Sequence, residues 1–159
     1  MTRKLLTLFA SGGSFCLLAG AFAFQHLGGL APCALCIWQR WPHAAAIAIG
    51  VVALLSVPHG ALLFLGALAA LASAGIGLFH TGVERGWWEG PSTCSSGSIS
   101  DLSAQELLDQ IMQAPLVRCD EVAWQMLGLS MASWNMVVSL GLALIWLWAA
   151  RTPNTSVPG

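Results

Sequence analysis

Two of the five cysteines stand three positions apart, a spacing typical of a redox-active thiol pair. Cys33 and Cys36 are close enough to form a small, easily reduced disulfide, and a thiol at a helix N-terminus has a lowered pKa. The apolar pattern predicts that Cys36 lies just before or at the start of a long helix, so the helix dipole would favour a thiolate there. Arg40, one turn further on, would favour the same thiolate because its guanidinium stays charged. We therefore interpret the pair as an electron-carrying dithiol.

A metal site is the main alternative for a Cys-x-x-Cys pair. Tetrahedral zinc needs two further ligands, and His26 or His80 could supply them. A c-type haem needs a histidine directly after the second cysteine, where Ile37 stands instead. We expect a thiol site without a metal.

The other cysteines suggest a second pair. Cys16 lies inside an apolar run and is the natural unpaired residue, which leaves Cys94 with Cys119. As a structural disulfide this pair would close a loop and stabilise the chain by ~3 kcal/mol. As a redox pair it would exchange with the first pair, since exchange proceeds by thiolate attack on a neighbouring disulfide.

Polar and aromatic residues near the first pair are candidates for binding a cofactor. Arg40 with the indoles of Trp38 and Trp41 could hold a polarised carbonyl ring, although arginines at span ends also snorkel to the interface. His80 could hydrogen-bond a quinone oxygen, relay a proton or be a plain interfacial histidine. We interpret His43 and Asn135 as packing or interhelical polar contacts. We expect Glu84, Arg85 and Glu89 to be solvated side chains.

The composition indicates which elements position these residues. The 159 residues are 57% hydrophobic and only 8% charged, against roughly 25% charged in globular chains. The natural solvent is therefore lipid, and the net charge of -1 provides no basic surface for nucleic acid. Four runs contain no Asp, Glu, Lys or Arg and are long enough for membrane helices: 5–24, 41–57, 62–79 and 131–150.

The predicted fold is an all-α integral membrane protein, a single domain over 1–159 with a four-transmembrane-helix bundle. A long external loop at about 80–130 would carry a short amphipathic helix, which the capping-box pattern at 103–106 introduces. The tail 152–159 is expected to be disordered. The first run also has the features of a secretory signal peptide, which would leave three spans.

Loop counting places the two cysteine pairs together. In any four-span protein the loops after the first and third spans lie on the same side, so both pairs face one compartment. Disulfides persist outside the cytosol, which favours a cytoplasmic location for both chain ends. The eight tryptophans fit an aromatic belt, with Trp146 and Trp148 at the inner interface.

Two segments resemble a known family. The segment from Pro32 to Arg40 reads PCALCIWQR and resembles the signature of the DsbB family of quinone-dependent disulfide oxidases. The segment LGLSMASW, from Leu127 to Trp134, resembles the family's entry into its last helix. The four spans, the long loop and both cysteine pairs also match, so the resemblance covers nearly the whole chain. Gln39 is a departure, because family members often have Glu before the arginine.

The resemblance implies a bacterial inner-membrane enzyme that reoxidises a soluble periplasmic, thioredoxin-like DsbA protein and reduces ubiquinone or menaquinone. A partner thiolate would attack Cys94, Cys119 would exchange with Cys33, and Cys36 would face the quinone as a thiolate. Arg40 matches the family's quinone-contacting arginine, and His80 falls near a family histidine. Two alternatives stay open: a vitamin-K-epoxide-reductase-like or dedicated-partner thiol oxidoreductase, and a non-enzymatic membrane scaffold braced by disulfides.

Overall fold

A computed structural model describes residues 1–56, 60–91, 105, 112 and 117–153. The described part is built from long helices and one small hairpin. In chain order these elements are α1 (Arg3–His26), α2 (Ala34–Leu55), α3 (Gly60–Glu84), β1 (Gln125–Met126), β2 (Leu129–Ser130) and α4 (Met131–Arg151). The all-helical class predicted from the sequence is confirmed, and the helices extend beyond the predicted runs at most of their ends.

Side chains cap three of the helix starts. Thr2 accepts a hydrogen bond from the backbone N–H of Leu5 at the start of α1, and Ser130 accepts one from Ser133 at the start of α4. At α2 the capping atom is a sulfur, because Cys33 Sγ accepts from the N–H of Cys36 at 3.3 Å. Each cap satisfies a backbone donor that has no partner within the helix.

Among the described residues, three helices are long and apolar enough to cross a membrane: α1, α3 and α4. Helix α2 is 22 residues long, but polar residues interrupt its N-terminal half. The predicted count of four spans therefore stays a prediction. Large apolar side chains such as Phe9, Phe15 and Phe64 are exposed on the outside of the bundle, where lipid would cover them.

Small residues occupy the core of the bundle. Ala10, Ala67, Ala70 and Ala143 are fully buried or nearly so, and they let helices approach closely, as is usual in membrane bundles. Trp146 fills the largest space and is 0% exposed. A Cβ atom on Gly66 would lie only 2.7 Å from the indole carbon Cδ2 of Trp146, so a larger residue there would clash with the ring. Trp146 was predicted to fall near the inner interface, and its indole packs inside the bundle because Gly66 leaves room for it there.

The helices meet in pairs at the two ends of the bundle. Arg3 donates from its guanidinium to the carbonyls of Ala149 and Ala150 at 3.2 and 3.1 Å, so the start of α1 meets the end of α4. At the opposite end, the start of α2 meets the end of α3. The β1–β2 hairpin turns through Leu127 and Gly128, both with positive φ, as a tight hairpin turn requires.

Several predictions fall on residues outside the described part. These are the turn at 57–59, the residue Cys94, most of the amphipathic helix after 103 and the tail from 154 onward.

Candidate functional site

The two cysteines of the Cys-x-x-Cys pair lie side by side at the start of α2. Both are free thiols, and their Sγ atoms are 3.1 Å apart. Cys33 is 4% exposed, whereas Cys36 is half-buried. The pair is therefore close enough to form a disulfide with little movement, and only Cys36 has appreciable access from outside.

Cys119 packs against the same pair. It is 0% exposed and forms one apolar cluster with Cys33, Leu35 and Val83, with Cys36 at the margin. Cys119 is disulfide-bonded. Cys119 thus lies at the same end of the bundle as Cys33 and Cys36, while Cys94 lies outside the described residues, and the expectation from loop counting that both pairs face one compartment stays a prediction. We call Cys33, Cys36, Cys119 and His80 the thiol site.

His80 enters the thiol site from α3. Its Nε2 lies 3.6 Å from Cys33 Sγ, and its Nδ1 lies 3.0 Å from the side-chain nitrogen of Gln39. The imidazole is 3% exposed and is turned toward Cys33. The histidine proposed from the sequence is thus in contact with a sulfur atom of the pair.

Glu84 also belongs to this region, which the sequence did not indicate. Its side chain is only 6% exposed, and its Oε1 is 3.8 Å from His80 Nε2. The interpretation of Glu84 as a solvated residue was wrong, because α3 continues one turn beyond His80 and keeps the carboxylate inside. The i,i+4 spacing of His80 and Glu84 was the signal that could have found it.

A chain of polar side chains extends from His80 into the bundle. Asn135 on α4 donates to Gln39 Oε1 at 2.7 Å, and its Oδ1 lies 2.9 Å from His43 Nε2. Ser73 on α3 joins the same group through its hydroxyl. His43 and Asn135 are therefore interhelical polar contacts, as predicted, and they tie α2, α3 and α4 together.

Arg40 points to α1. Its Nη1 donates to Gln25 Oε1 at 2.6 Å, and the guanidinium carbon lies 4.8 Å from the centre of the Phe22 ring. Its Nε is buried and has no hydrogen-bond partner among the described residues. An oriented, buried donor beside a thiol is a suitable contact for a carbonyl oxygen. The indoles of Trp38 and Trp41 are exposed on the outside of α2.

Cys33, Cys36 and His80 could also bind a metal by proximity alone, since their ligand atoms all lie within 4.8 Å of one another. His26, the other ligand considered, is exposed on α1 and stacks on Phe22. Of the two further ligands that zinc would need, the structure therefore brings His80 to the thiols and not His26.

A narrow cleft leads to the sulfur atoms. It is lined by Cys33, Cys36, His80, Glu84 and Trp124, among others, and its volume is about 40 Å³. This space suits one or two water molecules. A molecule the size of an aromatic ring would therefore have to approach Cys36 from the outside of the helix, beside Arg40.

The environment of Cys36 favours its thiolate. The hydrogen bond from Cys33 lowers the pKa of Cys36 to about 7 against the opposing effect of burial, and the charge of Arg40 contributes. The same hydrogen bond, with burial, raises the pKa of Cys33. Cys36 precedes the predicted span 41–57, so water and reagents can reach it.

This difference predicts a pH dependence for alkylation. Because the pKa of Cys36 is lowered, its thiolate is present above about pH 7 and is lost as the pH falls through that value. The rate of maleimide labelling at Cys36, measured by mass spectrometry, should be half-maximal near pH 7. The Arg40→Gln variant should shift this midpoint upward. A midpoint near 9 in the unaltered protein would contradict the assignment.

Known proteins resemble this chain over most of its length. A family model described as "Disulfide bond formation protein DsbB" matches residues 3–149. "Disulfide bond formation protein B" of Stutzerimonas stutzeri strain A1501 is 33% identical, with 90% of this chain and 91% of the relative covered. The protein of the same name from Methylococcus capsulatus strain Bath is 35% identical, over 91% and 95%. That of Pasteurella multocida strain Pm70 is 34% identical, over 88% and 82%. No solved structure matches the chain significantly.

Proposed function

Because the chain belongs to the DsbB family of disulfide bond formation proteins, we propose that it reoxidises a soluble, thioredoxin-like dithiol protein and passes the electrons to a membrane quinone. The partner would be a DsbA-like protein of the bacterial periplasm. The chain would lie in the inner membrane with both ends in the cytoplasm and the thiol site at the periplasmic face.

The observation that carries this proposal is the packing of a free thiol pair against a disulfide-bonded cysteine. Cys33 and Cys36 are 3.1 Å apart, and Cys33 shares a buried cluster with Cys119. Thiol–disulfide exchange requires a sulfur nucleophile beside a disulfide sulfur. The cluster provides that neighbourhood inside the protein, away from other thiols.

The proposed exchange proceeds in steps, each carried out by a particular cysteine. A partner thiolate attacks Cys94, and Cys119 leaves with the electron pair. Cys119 then attacks Cys33 of the oxidised pair, which breaks the Cys33–Cys36 bond and leaves Cys36 as a thiolate. Cys94, freed when the partner's second thiol closes the partner disulfide, attacks Cys119 and releases Cys33. The net result is an oxidised partner and a reduced Cys33–Cys36 pair.

The residues around Cys36 suit a quinone. Its carbonyl oxygens accept hydrogen bonds, and the buried Nε of Arg40 is a donor with no partner among the described residues. Arg40 and Cys36 share a helical face, and the exposed indoles of Trp38 and Trp41 lie where a lipid-soluble ring would approach. When bound, the quinone accepts two electrons and two protons. His80 stays a candidate contact from the opposite side of the pair.

A coupled assay tests the proposal. The purified protein, given a reduced thioredoxin-like partner and ubiquinone or menaquinone, should consume one quinone for each partner disulfide formed. Quinone loss is followed by absorbance and partner oxidation by thiol labelling. Absence of quinone loss with both quinones would overturn the proposal and favour a scaffold or a related thiol oxidoreductase.

A further inference from the structure

The hydrogen bonds around Gln39 have a fixed direction. The Gln39 side-chain nitrogen lies 3.2 Å from the carbonyl oxygen of Leu35, which can only accept. The side-chain oxygen accepts from Asn135 at 2.7 Å. Both contacts assign the same orientation of the amide, so its nitrogen is the atom that faces His80. Gln39 is 7% exposed, and the contacts therefore hold it in this orientation.

This orientation determines the tautomer of His80. An amide nitrogen only donates, so His80 Nδ1, 3.0 Å away, must accept. A neutral imidazole that accepts at Nδ1 has its hydrogen on Nε2. Nε2 faces the sulfur of Cys33 at 3.6 Å and the carboxylate of Glu84 at 3.8 Å, and the ring also hydrogen-bonds the backbone of Cys119. The sulfur, the carboxylate and a backbone carbonyl are all hydrogen-bond acceptors, so these neighbours are consistent with a hydrogen on Nε2.

We infer that Gln39 is a positioning residue of the thiol site: by donating to His80 Nδ1, it holds the imidazole in the tautomer whose Nε2–H points to the Cys33 sulfur. His80 is then a hydrogen-bond donor to Cys33 and not a base for it. The assignment of the tautomer depends only on the contacts of Gln39 and His80. Its effect on turnover rests on the proposed function.

The donor has a defined use in the exchange. When Cys94 attacks Cys119, the Cys119–Cys33 bond breaks and its electron pair stays on the Cys33 sulfur. A leaving sulfur departs faster when its negative charge is stabilised, and the Nε2–H of His80 is the group aimed at that sulfur. Glu84 lies within reach of the same nitrogen and can hold the ring in place as the charge develops.

The replacement Gln39→Glu reverses the polarity without changing the length of the side chain. A carboxylate accepts from Asn135 as before, but it can face His80 only if Nδ1 carries a hydrogen. The ring would then present a lone pair at Nε2 or become doubly protonated. Gln39→Met removes the amide altogether and leaves the tautomer free.

Nitrogen NMR of protein labelled with ¹⁵N-histidine tests the tautomer directly, because protonated and unprotonated ring nitrogens have well-separated shifts. The chain has four histidines, so the His80 signals are assigned by their loss in His80→Asn. We expect His80 to be neutral with hydrogen on Nε2 in the unaltered protein and to carry hydrogen on Nδ1 in Gln39→Glu. A Nδ1–H signal in the unaltered protein would overturn the inference, whether or not the protein reduces quinone.

A kinetic measurement tests the role in exchange. The rate at which a reduced partner converts the Cys33–Cys36 disulfide to thiols should fall about tenfold in Gln39→Glu, the effect of losing one hydrogen bond to a charged sulfur. The quinone KM should not change. Ser139→Ala, which touches only the far end of the polar chain at 3.5 Å, should leave both the tautomer and the rate unchanged. An unchanged exchange rate in a Gln39→Glu protein whose tautomer has switched would refute the role in exchange.

Discussion

Cys36→Ser is expected to abolish quinone-dependent turnover while the bundle stays folded. Cys36 is the half-exposed member of the pair, its environment favours the thiolate, and Arg40 shares its face of α2. Serine has nearly the same shape but cannot form a disulfide or supply a thiolate near neutral pH. Loss of an essential nucleophile lowers turnover by at least ~10³-fold. The measurement is quinone absorbance with a reduced partner in excess.

Cys16→Ser is the matched control for this substitution. Cys16 is a free thiol exposed on α1, away from the thiol site, so the same chemical change there should leave turnover at its original value. Thermal unfolding of both variants should match that of the unaltered protein. Quinone reduction by Cys36→Ser at an appreciable rate would show that another sulfur meets the acceptor.

Cys119→Ser is expected to separate the two halves of the reaction. Cys119 is 0% exposed and packs in one cluster with Cys33, so in the proposed relay it carries electrons from the partner to the buried member of the pair. The variant should lose oxidation of the partner, again by at least ~10³-fold. Its Cys33 and Cys36, once reduced chemically, should still be reoxidised by quinone in a single turnover.

Thiol counting distinguishes these outcomes. Alkylation after addition of quinone should label Cys16 and Cys94 but not Cys33 or Cys36, as mass spectrometry would show. Cys119→Ala repeats the test without a buried hydroxyl, which guards against a folding defect. Partner oxidation by either variant at the original rate would mean that the partner reaches Cys33 directly, and the order of the relay would be wrong.

Long runs without charged residues predicted the helices well because lipid leaves the backbone few alternatives. A run without charges must satisfy its own hydrogen bonds, so the uncharged runs marked the cores of α1, α3 and α4. The helix ends were less predictable. Helix α3 continues to Glu84 because a buried carboxylate is tolerated where His80 and the Ser130 hydroxyl lie beside it, and such partners come from other parts of the chain.

Part of the chemistry of the site could be predicted from the sequence. The spacing of Cys33, Cys36 and Arg40 indicated the dithiol, and loop counting predicted that Cys119 faces the same compartment. The sequence could not show that Gln39 bonds His80 or that Trp146 is buried. Both depend on the rotation of one helix against another, and pairs such as Gly66 with Trp146 become visible only once the helices are packed. The β1–β2 hairpin was missed because Leu127–Gly128 is a weak turn signal compared with Asn-Gly.

The burial of Cys33 affects whether small thiols can react at the site. A protein that passed electrons from reduced proteins to a membrane quinone would lose specificity if small thiols such as glutathione could also reduce its disulfides. Cys33 is 4% exposed and Cys119 is 0% exposed, and the cleft that leads to the sulfur atoms has room for only one or two water molecules, so a molecule as large as glutathione does not fit at the contact through which they would exchange. In the proposed relay, the packing that buries Cys33 and Cys119 in one cluster would therefore also protect their exchange from small thiols.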